Sequence, residues 1–136
     1  MDPANLPLST SGSKIVDKNG DMVRLACVNW YGAHMERYVV NGLDLVDINE
    51  IAKGIADKGF NCVRLVYSLE QYYSNPVVSA DALTANPSLI GQHSMNIFDA
   101  TVVALTNAGV MVVLNNHISD AMWCCSNDDS NGLWHN

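Results

Sequence analysis

Three short apolar runs, each closing on polar residues and separated by amphipathic segments, restrict this chain more than any other feature. The first covers Met22 to Val28 and continues as RLACVNW, ending in Asn29 and Trp30. The second, Phe60 to Val66, is β-branched and apolar apart from Arg64, and runs into Tyr67 and Ser68. The third, Val110 to Leu114, is continuously apolar and stops at Asn115, Asn116 and His117. An unbroken run of this kind reads as a strand buried on both faces. Between the first two runs, Ile48, Ile51, Ala52, Ile55 and Ala56 form one stripe of a helix. Asp47 with Glu50 three residues on has the form of a capping box, and Gly59 suits the C-terminal end. A second helix is predicted over Met95–Asn107, with Phe98, Thr101, Val102 and Leu105 as its core face and Gly109 as its stop. Strands alternating with helices in this order imply a parallel sheet.

Two parallel architectures compete. A doubly wound nucleotide-binding fold needs a glycine-rich turn after its first strand, and neither G-x-G-x-x-G nor G-x-x-x-x-G-K occurs in the chain. A (β/α) barrel places its working groups at the C-terminal ends of its strands, and polar residues close all three runs. Side chains alternate along a strand, so Cys62, Arg64 and Val66 share one face and Val63 and Leu65 the other. A charge in a core strand is costly unless paired, which places Arg64 on the barrel interior near the mouth.

The remaining segments divide simply. Residues 1–13 are rich in Ser, Pro and Asn and read as an extended arm, and residues 14–136 as one domain. Lys14–Asp17 and Met22–Val28 flank DKNG, a hairpin signal with Asn19-Gly20 at the tip. Residues 29–43 read as a loop, and residues 67–93, with Pro76 and Pro87, as a long connection of the kind that is often functional. A net charge of −7 speaks against nucleic acid, and no apolar run approaches the roughly 20 residues of a membrane helix. The opening MDPANLPLSTSG has neither a basic nor an apolar leader region, which argues against export of the chain as written.

Several residues carry two readings each. Arg64 is either a structural ion-pair partner or a cleft residue, and His117 either a satisfied strand-end histidine or a cleft group. Trp30 and Trp123 are either packing aromatics or flat faces for a sugar ring. Cys124 and Cys125 with His117 and His135 would make a zinc site, but the adjacent pair lacks the usual C-x-x-C spacing. Failing that, the pair supplies one bridge to a cysteine elsewhere, or none. Cys27 and Cys62 read most simply as small buried hydrophobes, and Asp128-Asp129 as a solvated loop.

Three blocks in order carry a resemblance: LSTSGSKIVDKNGDMVRLACVNWYGAHM, GFNCVRLVYSLE and VMVVLNNHISDAMWCCSNDDSNGLW. Together they resemble the N-terminal part of glycoside hydrolase family 5, in particular its cellulase-like eukaryotic members, from about Leu8 onward. The resemblance implies an eight-stranded (β/α) barrel that hydrolyses β-glycosidic bonds of a polysaccharide or glycoconjugate with retention, without metal or organic cofactor. It also implies secretion. It makes Arg64 the arginine that holds the nucleophilic glutamate, and His117 the histidine that contacts the sugar at the cleavage site. Asn29, Trp30, Asn116 and Trp123 become candidate substrate contacts.

Retaining glycosidases need two carboxylic groups about 5–5.5 Å apart. The resemblance puts one in an Asn-Glu pair ending the fourth strand and the other at the end of the seventh, and neither position falls within this chain. Asn49-Glu50 lies inside the first helix, and Glu36 and Glu70 lie in loops from which they could approach the mouth. A whole barrel runs to about 250 residues, so the chain holds roughly three of eight units and is expected to be silent alone, with an open sheet edge inviting self-association. A non-catalytic sugar-binding relic and a cysteine/histidine metal module are the alternatives.

Overall fold

The structure, a computed structural model, describes residues 5–123 and Asn131. Its main sheet contains β3 (Cys27–Trp30), β4 (Cys62–Ser68) and β5 (Met111–Ile118), all parallel and in sequential order. Helix α1 (Ile48–Asp57) joins the first two strands and α3 (Ser94–Asn107) the last two; a short helix, α2 (Leu69–Ser74), leaves the end of β4. No helix among the described residues is long and apolar enough to cross a membrane.

The core lies between the helices and one face of the sheet. Trp30, Val63 and Leu65 are buried from the strands, against Ile48 and Ala52 of α1 and Ile97, Phe98 and Leu105 of α3. The two amphipathic segments form the helices expected of them. Asp47 caps α1 by accepting from the Asn49 N–H at 2.8 Å. Gly59, at φ +86°, supplies the left-handed turn that follows α1.

β5 departs from expectation. It extends through Asn115, Asn116 and His117, and it is not buried on both faces: Val113 and Leu114 are 47% and 60% exposed. The reason is its place at the sheet edge, with no strand beyond it among the described residues. Its apolar run suits burial that its neighbours here supply only in part.

The hairpin is also displaced. The principal pairing is between β1 (Ser9–Ser11) and β2 (Lys14–Val16), so the end of the stretch read as an extended arm is a paired strand. The turn expected at DKNG is present, sealed by the Asp17 carboxylate accepting from the Asn19 and Asp21 N–H groups, but it leads to a single bridge between Val16 and Met22. Ser9–Ser11 has no apolar alternation, so its register left no trace in the sequence.

Cys27 and Cys62 form a disulfide, against the reading of both as unpaired buried hydrophobes. They are register partners on neighbouring strands, their Cα atoms 4.3 Å apart, so both Sγ atoms project from the same face. Cys124, Cys125 and His135 lie outside the described residues.

Residues 67–93 are a packed layer rather than a loose connection. Val78, Ala82 and Leu83 are buried, and Asn86 is 2% exposed. The Asn86 side chain accepts from the Ile48 N–H at 2.8 Å, satisfying the start of α1, and donates to the carbonyls of Leu43 and Val46 at 2.8 and 3.0 Å. Replacing it strands two buried backbone groups and a third that is partly buried. Asn86→Ala is expected to lower unfolding free energy by about 3 kcal/mol, whereas the exposed Asn49→Ala changes it little. Urea denaturation of both variants checks this, and equal midpoints would contradict it.

Candidate sugar-binding cleft

The register of the sheet builds the site. Asn29, Arg64 and Val113 are opposite one another, and Val66 is opposite Asn115. These residues share the face turned away from the helices. Beyond β3 and β5, two loops bring further groups over that face: Tyr31 and His34 from one, Trp123 from the other. A hollow of about 230 Å³ results, lined by Asn29, Tyr31, His34, Arg64, Val66, His117 and Trp123. A larger open hollow of about 610 Å³ lies on the other side of Asn29 and Tyr31, which border both.

Arg64 donates through Nη2 to Asn115 Oδ1 at 2.8 Å and lies 3.4 Å from His117 Nδ1. Arginine only donates, so the contact suits a neutral His117 with its proton on Nε2 and Nδ1 as acceptor. Among the described residues no carboxylate pairs with Arg64, and no carboxylate lines the hollow. The charge is held by neutral acceptors.

Four rings crowd the same space. His34 and His117 meet edge to face with centroids 5.0 Å apart at 86°. Tyr31 and Trp123 do the same at 5.7 Å and 89°, and Trp123 stands 6.4 Å from His34. Such pairs contribute about 0.5–1.5 kcal/mol beyond area burial. Tyr31 and Trp123 remain 45% and 62% exposed, so each leaves apolar surface to solvent at the hollow.

The structure gathers Arg64, His117, Asn29 and Trp123 at the smaller hollow and places two other candidates outside it, Trp30 bordering the larger one. Trp30 is 7% exposed on the helix-facing side, packed in the core with its indole N–H donating to the Asn41 carbonyl at 2.9 Å. Strand alternation turns it away from Asn29. Asn116 is exposed on the face opposite Arg64, and its neighbour Asn115 reaches the arginine instead. Sequence reasoning missed Tyr31, His34 and Asn115. The first two sit in a loop whose path depends on Gly32: at φ +119° it passes so close to Asn41 that a Cβ would lie 2.6 Å from its backbone nitrogen. Among the described residues no group of three His, Cys, Asp or Glu is placed to hold a metal ion.

Comparison with known proteins decides the family. The Cellulase model, glycosyl hydrolase family 5, matches residues 16–133. This chain belongs to glycosyl hydrolase family 5. A family 5 protein of Chamaecyparis obtusa is 40% identical over 96% of the chain, and an endoglucanase of Paenibacillus polymyxa is 27% identical over 79%. The catalytic domain of the major endoglucanase from Xanthomonas campestris pv. campestris superposes with a TM-score of 0.77 at 25% identity, over 88% of this chain and 34% of that one. An endocellulase of Pyrococcus horikoshii, solved with cellotetraose, shares the fold with a TM-score of 0.76 at 24% identity, over 90% of this chain and 34% of that one. The chain spans 26% and 27% of the two sequence relatives. Its three parallel strands and the helices between them are the N-terminal part of the family 5 barrel.

Both cleft histidines are held below their usual value of 6.5. Burial is the main cause for each; His117 and Arg64 push His34 lower while Glu36 partly offsets them, and Arg64 pushes His117 lower. As pH falls, the unfolded chain therefore takes up these protons before the folded one. The stability that the neutral pair contributes is complete above the ordinary imidazole value and is lost as pH falls from there through the lowered folded values. The melting temperature is expected to decline as pH falls below about 6.5, with a shallower decline in the His34→Gln/His117→Gln double variant. An unchanged slope in that variant would refute this origin.

Proposed function

We propose that the chain forms one wall of a β-glucan cleft in a family 5 glycosidase, with the acid/base and nucleophilic carboxylates supplied by polypeptide outside these 136 residues. The supporting observation is the Arg64 guanidinium, held by Asn115 beside a neutral His117 under two half-open aromatic rings. In that role Arg64 keeps a neighbouring carboxylate ionised and oriented. His117 presents its Nε2–H to a sugar hydroxyl, and Tyr31 and Trp123 cover the apolar faces of the pyranose. Endoglucanase is the name carried by several of the relatives, which favours a β-linked glucan as the ligand. On this reading the chain alone binds sugar and does not cut it, because among the described residues no carboxylate lines the hollow and retention requires a pair of them.

Titration with cellotetraose, followed by tryptophan fluorescence and by reducing-sugar release, tests both parts. A saturable change without release is expected, with affinity falling at least tenfold, or about 1.4 kcal/mol, in Arg64→Ala and in Trp123→Ala. Absence of any saturable change would sink the binding reading; release of reducing ends would sink the claim that the wall is silent.

The exposed Val113–Leu114 edge of β5 belongs to the same proposal. It is where the next strands of a closed barrel add, and in their absence copies of the chain associate through it. Sedimentation should show a concentration-dependent rise in mass that Leu114→Lys abolishes; a monomer at every concentration would contradict it.

A further inference from the structure

Glu70 lines neither hollow, yet it touches both loops that carry the cleft rings. It lies in the first turn of α2, just past the end of β4. One carboxylate oxygen, Oε1, accepts from the Tyr38 hydroxyl at 2.6 Å, and the other, Oε2, accepts from the Ala121 N–H at 2.6 Å. Its own backbone N–H donates to the Ser119 carbonyl at 2.9 Å. Tyr38 follows Tyr31 and His34 in their loop. Ser119 and Ala121 fall between His117 and Trp123 in theirs. A single residue thus ties together the two loops that carry three of the four rings, the fourth, His117, standing at the end of β5.

The surroundings show that these ends need holding. Tyr38 is a non-glycine residue at φ +56°, a conformation that L-residues adopt at a cost. Its carbonyl accepts from Gln71 Nε2 at 3.3 Å, one residue beyond Glu70, so α2 grips Tyr38 at both its hydroxyl and its backbone. The Ser119–Asp120 segment is held again from its other side, where Asn131 Oδ1 accepts from both N–H groups at 2.9 and 2.8 Å. Two charge-assisted bonds to one carboxylate are stronger than the neutral bonds around them. They also hold the Glu70 carboxyl below its usual value, while the Tyr38 hydroxyl is pushed up to about 12.

We infer that Glu70 is a positioning residue, a carboxylate clasp that sets the Tyr31/Trp123 ring pair over the cleft. Glu70, read from the sequence as a loop residue able to approach the mouth, lies instead in α2 with both its oxygens engaged away from the hollow. The clasp rests on hydrogen bonds alone; its value for sugar binding rests on the cleft reading above.

A sugar-free measurement separates the two. The full chain is labelled with 5-fluorotryptophan, its resonances are assigned by single Trp→Phe variants, and spectra are compared for the parent, Glu70→Gln and Tyr38→Phe. Trp30 reports the core and Trp123 the clasped loop. In Glu70→Gln the Trp123 resonance should move toward the free-indole position while Trp30 stays; Tyr38→Phe, which removes one bond and no charge, should move Trp123 in the same direction by less. The Glu70→Gln/Tyr38→Phe double variant should displace Trp123 by less than the sum of the two singles, because both remove the same bond. An unmoved Trp123 in Glu70→Gln with Trp30 intact overturns the clasp. Should Glu70→Gln fail to fold, Tyr38→Phe decides: a displaced Trp123 supports the clasp and an unmoved one overturns it. Loss of cellotetraose binding without displacement of Trp123 would likewise overturn it while leaving the cleft reading in place.

Discussion

Parallel pairing of β3, β4 and β5, in register up to Tyr67 opposite Asn116, is the constraint on which the rest of the structure depends. Asn29 lies opposite Arg64, Arg64 opposite Val113, and Val66 opposite Asn115. Because side chains alternate with a period of two, that register sorts the strands into an apolar face for the helices and a polar face for the cleft. A slip of one residue in β4 would exchange Arg64 with Leu65, driving a guanidinium into the core and leaving a fully buried leucine in the hollow. The burial of Val63 and Leu65 therefore fixes where the arginine stands as firmly as any contact the arginine makes.

Above the strand ends, the mouth is assembled by side chains that bond to backbone far away in sequence. Asn86 satisfies the start of α1, and Asn75, in a left-handed conformation after α2, accepts from the Met95 N–H at the start of α3. Glu70 and Asn131 do the same for the Ser119–Ala121 segment. These connections bury apolar residues such as Val40, Leu43 and Leu83, and their paths are fixed further by satisfying backbone polar groups.

What the sequence makes legible follows from the same physics. Periodicity exposes α1 and α3, because each buries one stripe against the sheet, and the polar closings of the apolar runs locate the strand ends. Arg64 and His117 stand out because a charge or an imidazole at the end of an apolar run needs a reason. Trp30 and Asn116 stand apart from Arg64 for one shared cause: each is adjacent to a residue on the arginine's face, and alternation sends it to the other. The Cys27–Cys62 bridge is invisible because a separation of 35 residues contains no register. His34, Tyr31 and the partners of Glu70 are invisible because a loop path set by Gly32 and by long-range hydrogen bonds has no local pattern to read.

The charge distribution connects the fold to the chemistry proposed for it. The chain as a whole is acidic, at −7, yet its cleft holds one guanidinium without a carboxylate partner among the described residues and two imidazoles biased toward neutrality. Keeping His34 and His117 neutral leaves Arg64 as the single positive charge in the hollow. A site of that kind has room, electrostatically, for one carboxylate held ionised beside a sugar, while a second carboxylate meant to donate a proton must stand outside the reach of the same arginine. Retaining hydrolysis asks for that asymmetry: two acids close together with separated pKa values. On the proposed reading, the wall formed by these residues contributes the asymmetry itself, before either acid is in place.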